Sequence, residues 1–447
     1  MKQFGLLLAL FAGLMLGACG GESKLPTPSG KASVTAINAI YGSPAINFLI
    51  EERSLGSVTY KGTTAAANYD DLDYTFNFDV AYAGDSEFTR IASQYIDFVA
   101  DQQYTLLASG PLSSPTITVW ETARRDFTDT DTVFQVRFAH TSYTYSDIDV
   151  YFALDGVAPV LGEQVASLTF GEITAPMDFE GAEYVVTITT AGDPADILYQ
   201  SSPSTILART DLIISPFDGD ANDTAPIVVR GLNSLGGGAT FGNPLYPPTV
   251  EFLHASWDMG ISDVYDDEAL TSQILDDHDF KQLTPETPID VGDYQFYYTP
   301  AGDTATVTLD TAFAPANGIH FRVIAHGSGG EYATTNIGLN RRSIETAVKL
   351  NLFSASSNFD FVDLYVVNAD ETIDGFAPFR TGIISRQPNA TSDMQAGSFD
   401  FYLTRFIEKD IIAGPLRVDV ELGDVLDLVI FDTDNTDTLE MVLLPNP

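Results

Sequence analysis

The chain has 447 residues, 45% of them hydrophobic, with a mean hydropathy close to zero, so it can bury real cores and is too long for a single one. Against 62 acidic residues stand 21 lysines and arginines, a formal net charge of −41. A field of that sign repels phosphate backbones and argues against nucleic acid as a partner.

In chain order, the first signal is the N-terminus. Lys2 is a minimal basic region, Phe4 to Leu16 is an apolar run, and Leu16-Gly17-Ala18 leads into Cys19, the only cysteine. The run is short for a bilayer span and sits where a signal peptide would. This pattern resembles the lipobox of bacterial lipoproteins. The resemblance implies a signal peptide at 1–18 and diacylglycerol on the Cys19 thiol. Several acyl chains at one terminus would hold the protein to a membrane. Gly20, where inner-membrane lipoproteins usually carry Asp, implies the cell outer membrane, with the leaflet left open. Residues 19–31 are small, polar and proline-containing and read as a flexible tether. With Cys19 lipidated no disulfide remains, and stability must come from packing.

Beyond the tether, one block recurs four times. Phe252-Leu253-His254-Ala255-Ser256 is followed by Asp263-Val264-Tyr265, and Phe138-Ala139-His140-Thr141-Ser142 by Asp149-Val150-Tyr151. Leu352-Phe353-Ser354-Ala355-Ser356 is followed by Asp363-Leu364-Tyr365, and a worn copy reads Ala39-Ile40-Tyr41-Gly42-Ser43 with Asn47-Phe48-Leu49. The serines lie 99, 114 and 100 residues apart, the size of a small domain rather than of a solenoid repeat. The expected modules are 32–125, 132–232, 249–340 and 347–447. Polar or glycine- and proline-rich seams separate them at 126–132, 233–248 and 340–346.

Within modules the apolar period is two. Ile37 and Ala39, Val136 and Phe138, Val250 and Phe252, and Leu350 and Leu352 predict a half-buried first strand. Asp-x-Tyr opens a second strand, and Asp155-Gly156 is a hairpin signal. Late apolar runs at 104–108, 212–214, 321–325 and 425–431 predict strands near each module's end. Glu268 to Asp277 is the single short helix candidate. The expected fold is all-β, with four tandem immunoglobulin-like antiparallel β-sandwich domains.

The His-Ala-Ser…Asp-Val-Tyr pattern, the Asp-Gly turn and the late valine-rich strand resemble the bacterial domain of unknown function DUF4397. The stretches 250–340 and 133–232 carry the resemblance best; 348–447 lacks the histidine and 34–125 is the most divergent. It implies an extracytoplasmic β-sandwich, often tandem and lipid-anchored, and no chemistry.

Candidate sites are weighed in this frame. The histidine position holds Tyr41, His140, His254 and Ser354, and a general base tolerates neither tyrosine nor serine. His140 and His254 therefore read as structural, as do Ser142, Ser256 and Ser356, whose hydroxyls suit turn capping. Asp149, Asp263 and Asp363 have Asn47 as their fourth equivalent, so a shared oxygen accepting backbone N–H bonds explains the position better than a metal. Tyr151, Tyr265 and Tyr365 complete the motif. Asp218, Asp220 and Asn222 start like an EF-hand, but Asp223 stands where glycine is needed and Val229 where glutamate is. Asp432, Asp434 and Asp437 form a second oxygen-rich loop without the pattern. Weak calcium binding is the most expected of either, and no other cofactor is expected. His326-Gly327-Ser328-Gly329-Gly330 reads as a glycine turn.

The functional expectation is a non-enzymatic cell-envelope lipoprotein with a structural or surface-binding role. Its partners are the membrane through Cys19 and an envelope protein or glycan. The rivals are a ligand- or glycan-binding protein using Tyr143, Tyr145 and Trp257, and a hydrolase using His140 and His254.

Overall fold

The computed structural model describes residues 27–445; Cys19, the expected signal peptide and most of the expected tether lie outside them. Among the described residues there is no helix, and the strands form eight sheets, two to a module. One sheet of each module contains the first strand (Lys31–Ala39, Val133–Phe138, Thr249–His254, Val348–Ser354) and the late strand (Gln102–Ser109, Asp211–Asp218, His320–Ser328, Val425–Asp432). The other is built on the second strand (Ile46–Ile50, Asp147–Leu154, Ser262–Tyr265, Phe361–Asn368) and a middle strand (Asp73–Val80, Glu183–Thr190, Tyr294–Pro300, Gly397–Arg405). The fold is all-β, and its sandwiches repeat.

The sheets are antiparallel apart from one pairing per module. First and late strands run parallel, with Ser33 opposite Gln103, Gln135 opposite Asp211, Thr249 opposite His320 and Lys349 opposite Val425. Residues 273–278, which overlap the second half of the helix candidate, form a strand instead, paired with the second strand of the third module. Glycine- and proline-rich seam 233–248 also contains a strand, Gly238–Phe241, which extends the first sheet of the second module.

Each sandwich has its own core. In the second module Phe134, Val136 and Phe138 meet Ile148, Val150 and Phe152 across it, and Phe152 stacks on Tyr184 with ring centroids 4.4 Å apart. The first strands, however, are buried on both faces. Their second face packs on the neighbouring module. Ile37, Ala39, Leu107 and Trp120 of the first module meet Ala139, Ile213, Phe217 and Leu232 of the second. Leu253, Ala255 and Ile324 of the third meet Phe353, Val429 and Phe431 of the fourth. Ile37 and Ala39, which the alternation places with Val136 and Phe138, thus belong to an inter-module interface while Val34 and Ala36 fill the core. Each fully buried large apolar side chain contributes about 1.5–3 kcal/mol, so these seams are substantial. The second interface also holds charge. Arg322 reaches Glu251 at 2.6 Å and Asp427 at 3.0 Å, and Arg341 reaches Glu251 at 3.1 Å.

Candidate functional site

The recurring motif is where sequence points first. The anchor serine sits just past the first strand, and its hydroxyl closes onto the end of the late strand or the start of its own loop. Ser142 Oγ donates to Asp218, Ser356 Oγ to Asp432 at 2.6 Å, and Ser256 Oγ to the Gly327 carbonyl at 2.7 Å. Ser43 pairs with Asn38, whose Nδ2 donates to Ser43 Oγ at 2.9 Å. Asp218 and Asp432 also accept backbone N–H bonds, from Tyr143 and Thr144 in one case and Ser357 in the other. They cap the loop that follows the serine.

Strand alternation sends the motif Asp and Tyr to the face away from the core, since Val150, Val264 and Leu364 between them point inward. There each aspartate ties an edge strand to the turn after the middle strand. Asp149 accepts from Ser167 Oγ at 2.5 Å and Gly192 N at 2.8 Å. Asp263 accepts from Asp277 N at 3.0 Å and Gly302 N at 2.9 Å. Asp363 accepts from Gly382 N at 2.8 Å and Ile407 N at 2.9 Å. Tyr151, Tyr265 and Tyr365 are buried beside them. Asp263, Asp276 and Asp277 each bring a carboxylate oxygen within 4.8 Å of the others, but both Asp263 oxygens already hold the backbone bonds just described.

His140 and His254 are fully buried, and burial pushes both imidazoles below their usual range. His254 Nε2 lies 2.8 Å from the Gly260 carbonyl, a contact in which the ring N–H donates. Its ring packs edge-on against His278, whose imidazole burial pushes down to about 4. At the equivalent position of the fourth module Ser354 Oγ meets Ser385 Oγ at 2.8 Å. Tyr41 is exposed and leans on Tyr60.

The loop of Asp218, Asp220, Asn222 and Asp223 lies at a junction of all four modules. Lys61 of the first module reaches Asp220 at 3.1 Å and also pairs with Asp223, while Tyr60 donates to the Asp218 carbonyl at 2.9 Å. Asn222 Oδ1 accepts the backbone N–H groups of Arg341 and Arg342 in the seam between the third and fourth modules. Arg342 in turn donates to the Ser43 carbonyl at 2.9 Å. A cavity of about 550 Å³ opens here, lined by Lys61, Asp223, Arg230, Arg342, Lys349 and Asp393 among others. Burial, helped by Arg342, brings the Lys349 ammonium down to about 8, and burial lifts the Asp223 carboxyl above its usual range. In the fourth module, by contrast, Asp437 pairs with Arg405 at 2.8 Å on an open surface.

The cations of the junction were not singled out by sequence reasoning. Arg341 and Arg342 fall within the polar seam at 340–346, and Lys61 belongs to no motif. The available signal was their scarcity, because each basic residue in so acidic a chain has many carboxylates to choose among.

Residues 32–151 and 248–365, together more than half of the chain, match the family described as "Domain of unknown function (DUF4397)". The chain belongs to the DUF4397 family. Each DUF4397 match runs through one module and on to the motif tyrosine of the next, Tyr151 or Tyr365, so it spans the first strands that pack across an interface. No curated protein matches the chain. Among solved structures, the Bacillus anthracis TIE protein aligns over 91% of this chain and 69% of its own, at 9% identity and a TM-score of 0.15. CBMbc (family CBM26) from Eubacterium rectale Amy13K, in complex with maltoheptaose, aligns over 47% of this chain and 96% of its own, at 10% identity and a TM-score of 0.15. The multi-modular glycogen-degrading pneumococcal virulence factor SpuA aligns over 85% and 37%, at 9% identity and 0.15. Alignments at that TM-score carry no argument about function.

Proposed function

We propose that this DUF4397 protein is a non-catalytic lipoprotein of the outer membrane, anchored through Cys19, whose packed β-sandwiches serve as a structural or surface-binding unit. The observation that supports it is the fate of the motif. The serines and aspartates that recur from module to module direct their oxygens into hydrogen bonds within their own module. Their recurrence is accounted for by holding loops in place. Cys19→Ser tests the anchoring half of the reading: the variant is expected to leave the membrane fraction as soluble or unprocessed protein. A variant that still fractionates with acylated outer-membrane protein overturns it.

A glycan-binding role is the second reading. Tyr143 and Trp257 occupy the same place in two modules, directly after the anchor serine, and are 65% and 38% exposed. Aromatic side chains with one face in water are suited to stacking on sugar rings. Quenching of Trp257 fluorescence by envelope oligosaccharides, lost in Trp257→Ala, is the expected result; no quenching removes this reading.

A further inference from the structure

We propose that the cleft between the first and second modules binds a small carboxylate-bearing sugar. The proposal deepens the surface-binding part of the function above by naming a ligand class. The cleft has a volume of about 340 Å³, at the small end of ligand sites and suited to a mono- or disaccharide. Arg124, Arg125 and Arg209 line it, a concentration of guanidiniums in a chain where acids outnumber bases 62 to 21. A smaller cavity of about 10 Å³ shares Gln103, Asp211 and Asn233 with the cleft and is bounded by Arg137. Arg137 is only 2% exposed, yet its Nε and Nη2 have no hydrogen-bond partner in the protein. Buried unpartnered donors are destabilising, more so on a charged group, and the space beside them holds about one water or one ligand oxygen.

The lining selects among anions. Each outer guanidinium has one aspartate partner: Asp126 for Arg124, Asp178 for Arg125 and Asp129 for Arg209. Five N–H donors on each leave others for a ligand carboxylate. Asp126 and Asp211 also line the cleft. Their carboxylates repel any anion, a doubly charged phosphate or sulfate more than a singly charged uronate, and they supply the acceptors that sugar hydroxyls need. Phe127, with Arg125 4.9 Å from its ring centroid, offers an apolar surface to a pyranose ring.

Calorimetry on the purified full chain in detergent tests this, using digalacturonate and a glucuronic-acid disaccharide as probes. Digalactose, inorganic phosphate and a glutamate-rich peptide are the comparisons. Saturable binding is expected for at least one uronate, about tenfold or more tighter than for digalactose. Arg124→Ala and Arg209→Ala, both at exposed positions, are each expected to weaken it about tenfold, the loss typical of one charge-assisted contact, with melting temperature unchanged. Absence of uronate binding overturns the proposal. So does equal binding of phosphate or peptide, or uronate binding that both variants leave intact. The Cys19→Ser fractionation is independent of these readouts, so failure of the ligand class is distinguishable from failure of the anchored role.

Discussion

The second and fourth modules carry the same acidic loop after the late strand, and the two copies have different surroundings. Asp218 and Asp432 do identical work, each capping the loop of its own anchor serine. Beyond that residue the copies diverge. Asp220 and Asp223 are drawn into a junction where Lys61 pairs with both and Arg342 stands nearby. Asp437 faces water with Arg405 across it. One motif therefore has a part fixed by its module and a part assigned by its neighbours. Oxygen-rich composition alone does not distinguish a cation site from a docking site for a lysine.

Four experiments bear on this contrast, taken from the largest expected effect. Lys61→Met removes the ammonium held between buried Asp220 and half-buried Asp223 and should destabilise the junction by about 3 kcal/mol, measured by chemical denaturation. Its pH dependence follows from Asp223, whose folded carboxyl lies above the usual range. Such a group stabilises the fold fully below its unfolded pKa and loses that contribution as pH rises through its folded pKa. Without Lys61 the folded value rises further, so the deficit should be widest near neutrality and narrow as the medium is acidified. A deficit independent of pH would show that Lys61 acts through packing alone.

Asp218→Ala and Asp432→Ala should each destabilise by about 2 kcal/mol, because each leaves buried donors unpaired. The comparison breaks if one is silent, since the capping role is meant to be common to both. Calcium should bind neither loop more tightly than the millimolar range when ionic strength is matched. A micromolar isotherm abolished by Asp220→Ala or Asp434→Ala would reverse that expectation. Arg405→Ala, at the open copy, should leave the melting temperature unchanged within error, as exposed ion pairs commonly do.

The β-class and the repetition of one sandwich were legible in the sequence because they depend on local alternation and on one repeated block. The double burial of the first strands was not. Their interface face is written partly in polar residues, Arg137, Glu251, Lys349 and Asn351, and a polar residue in alternation reads as solvent-facing until a partner is known. At 273–278 the residues Gln-Ile-Leu-Asp-Asp-His favour no period, and pairing with the second strand decided the outcome. The Arg137 cavity depends on two modules meeting, which no single stretch of chain records.

The parallel pairing of first and late strands has a consequence for how the chain acquires its shape. A first strand such as Lys31–Ala39 finds the partner it pairs with along its length in Gln102–Ser109, at the far end of the module. Contacts so distant along the chain carry a loop-closure penalty before they are rewarded, and proteins dominated by them fold slowly. If the polypeptide emerges N-terminus first, each sandwich must wait for nearly its whole length before its opening segment is held on that side. The apolar faces awaiting the next module stay uncovered longer still. During that interval the high negative charge has a use that the finished molecule no longer displays: it keeps unfinished copies apart from one another.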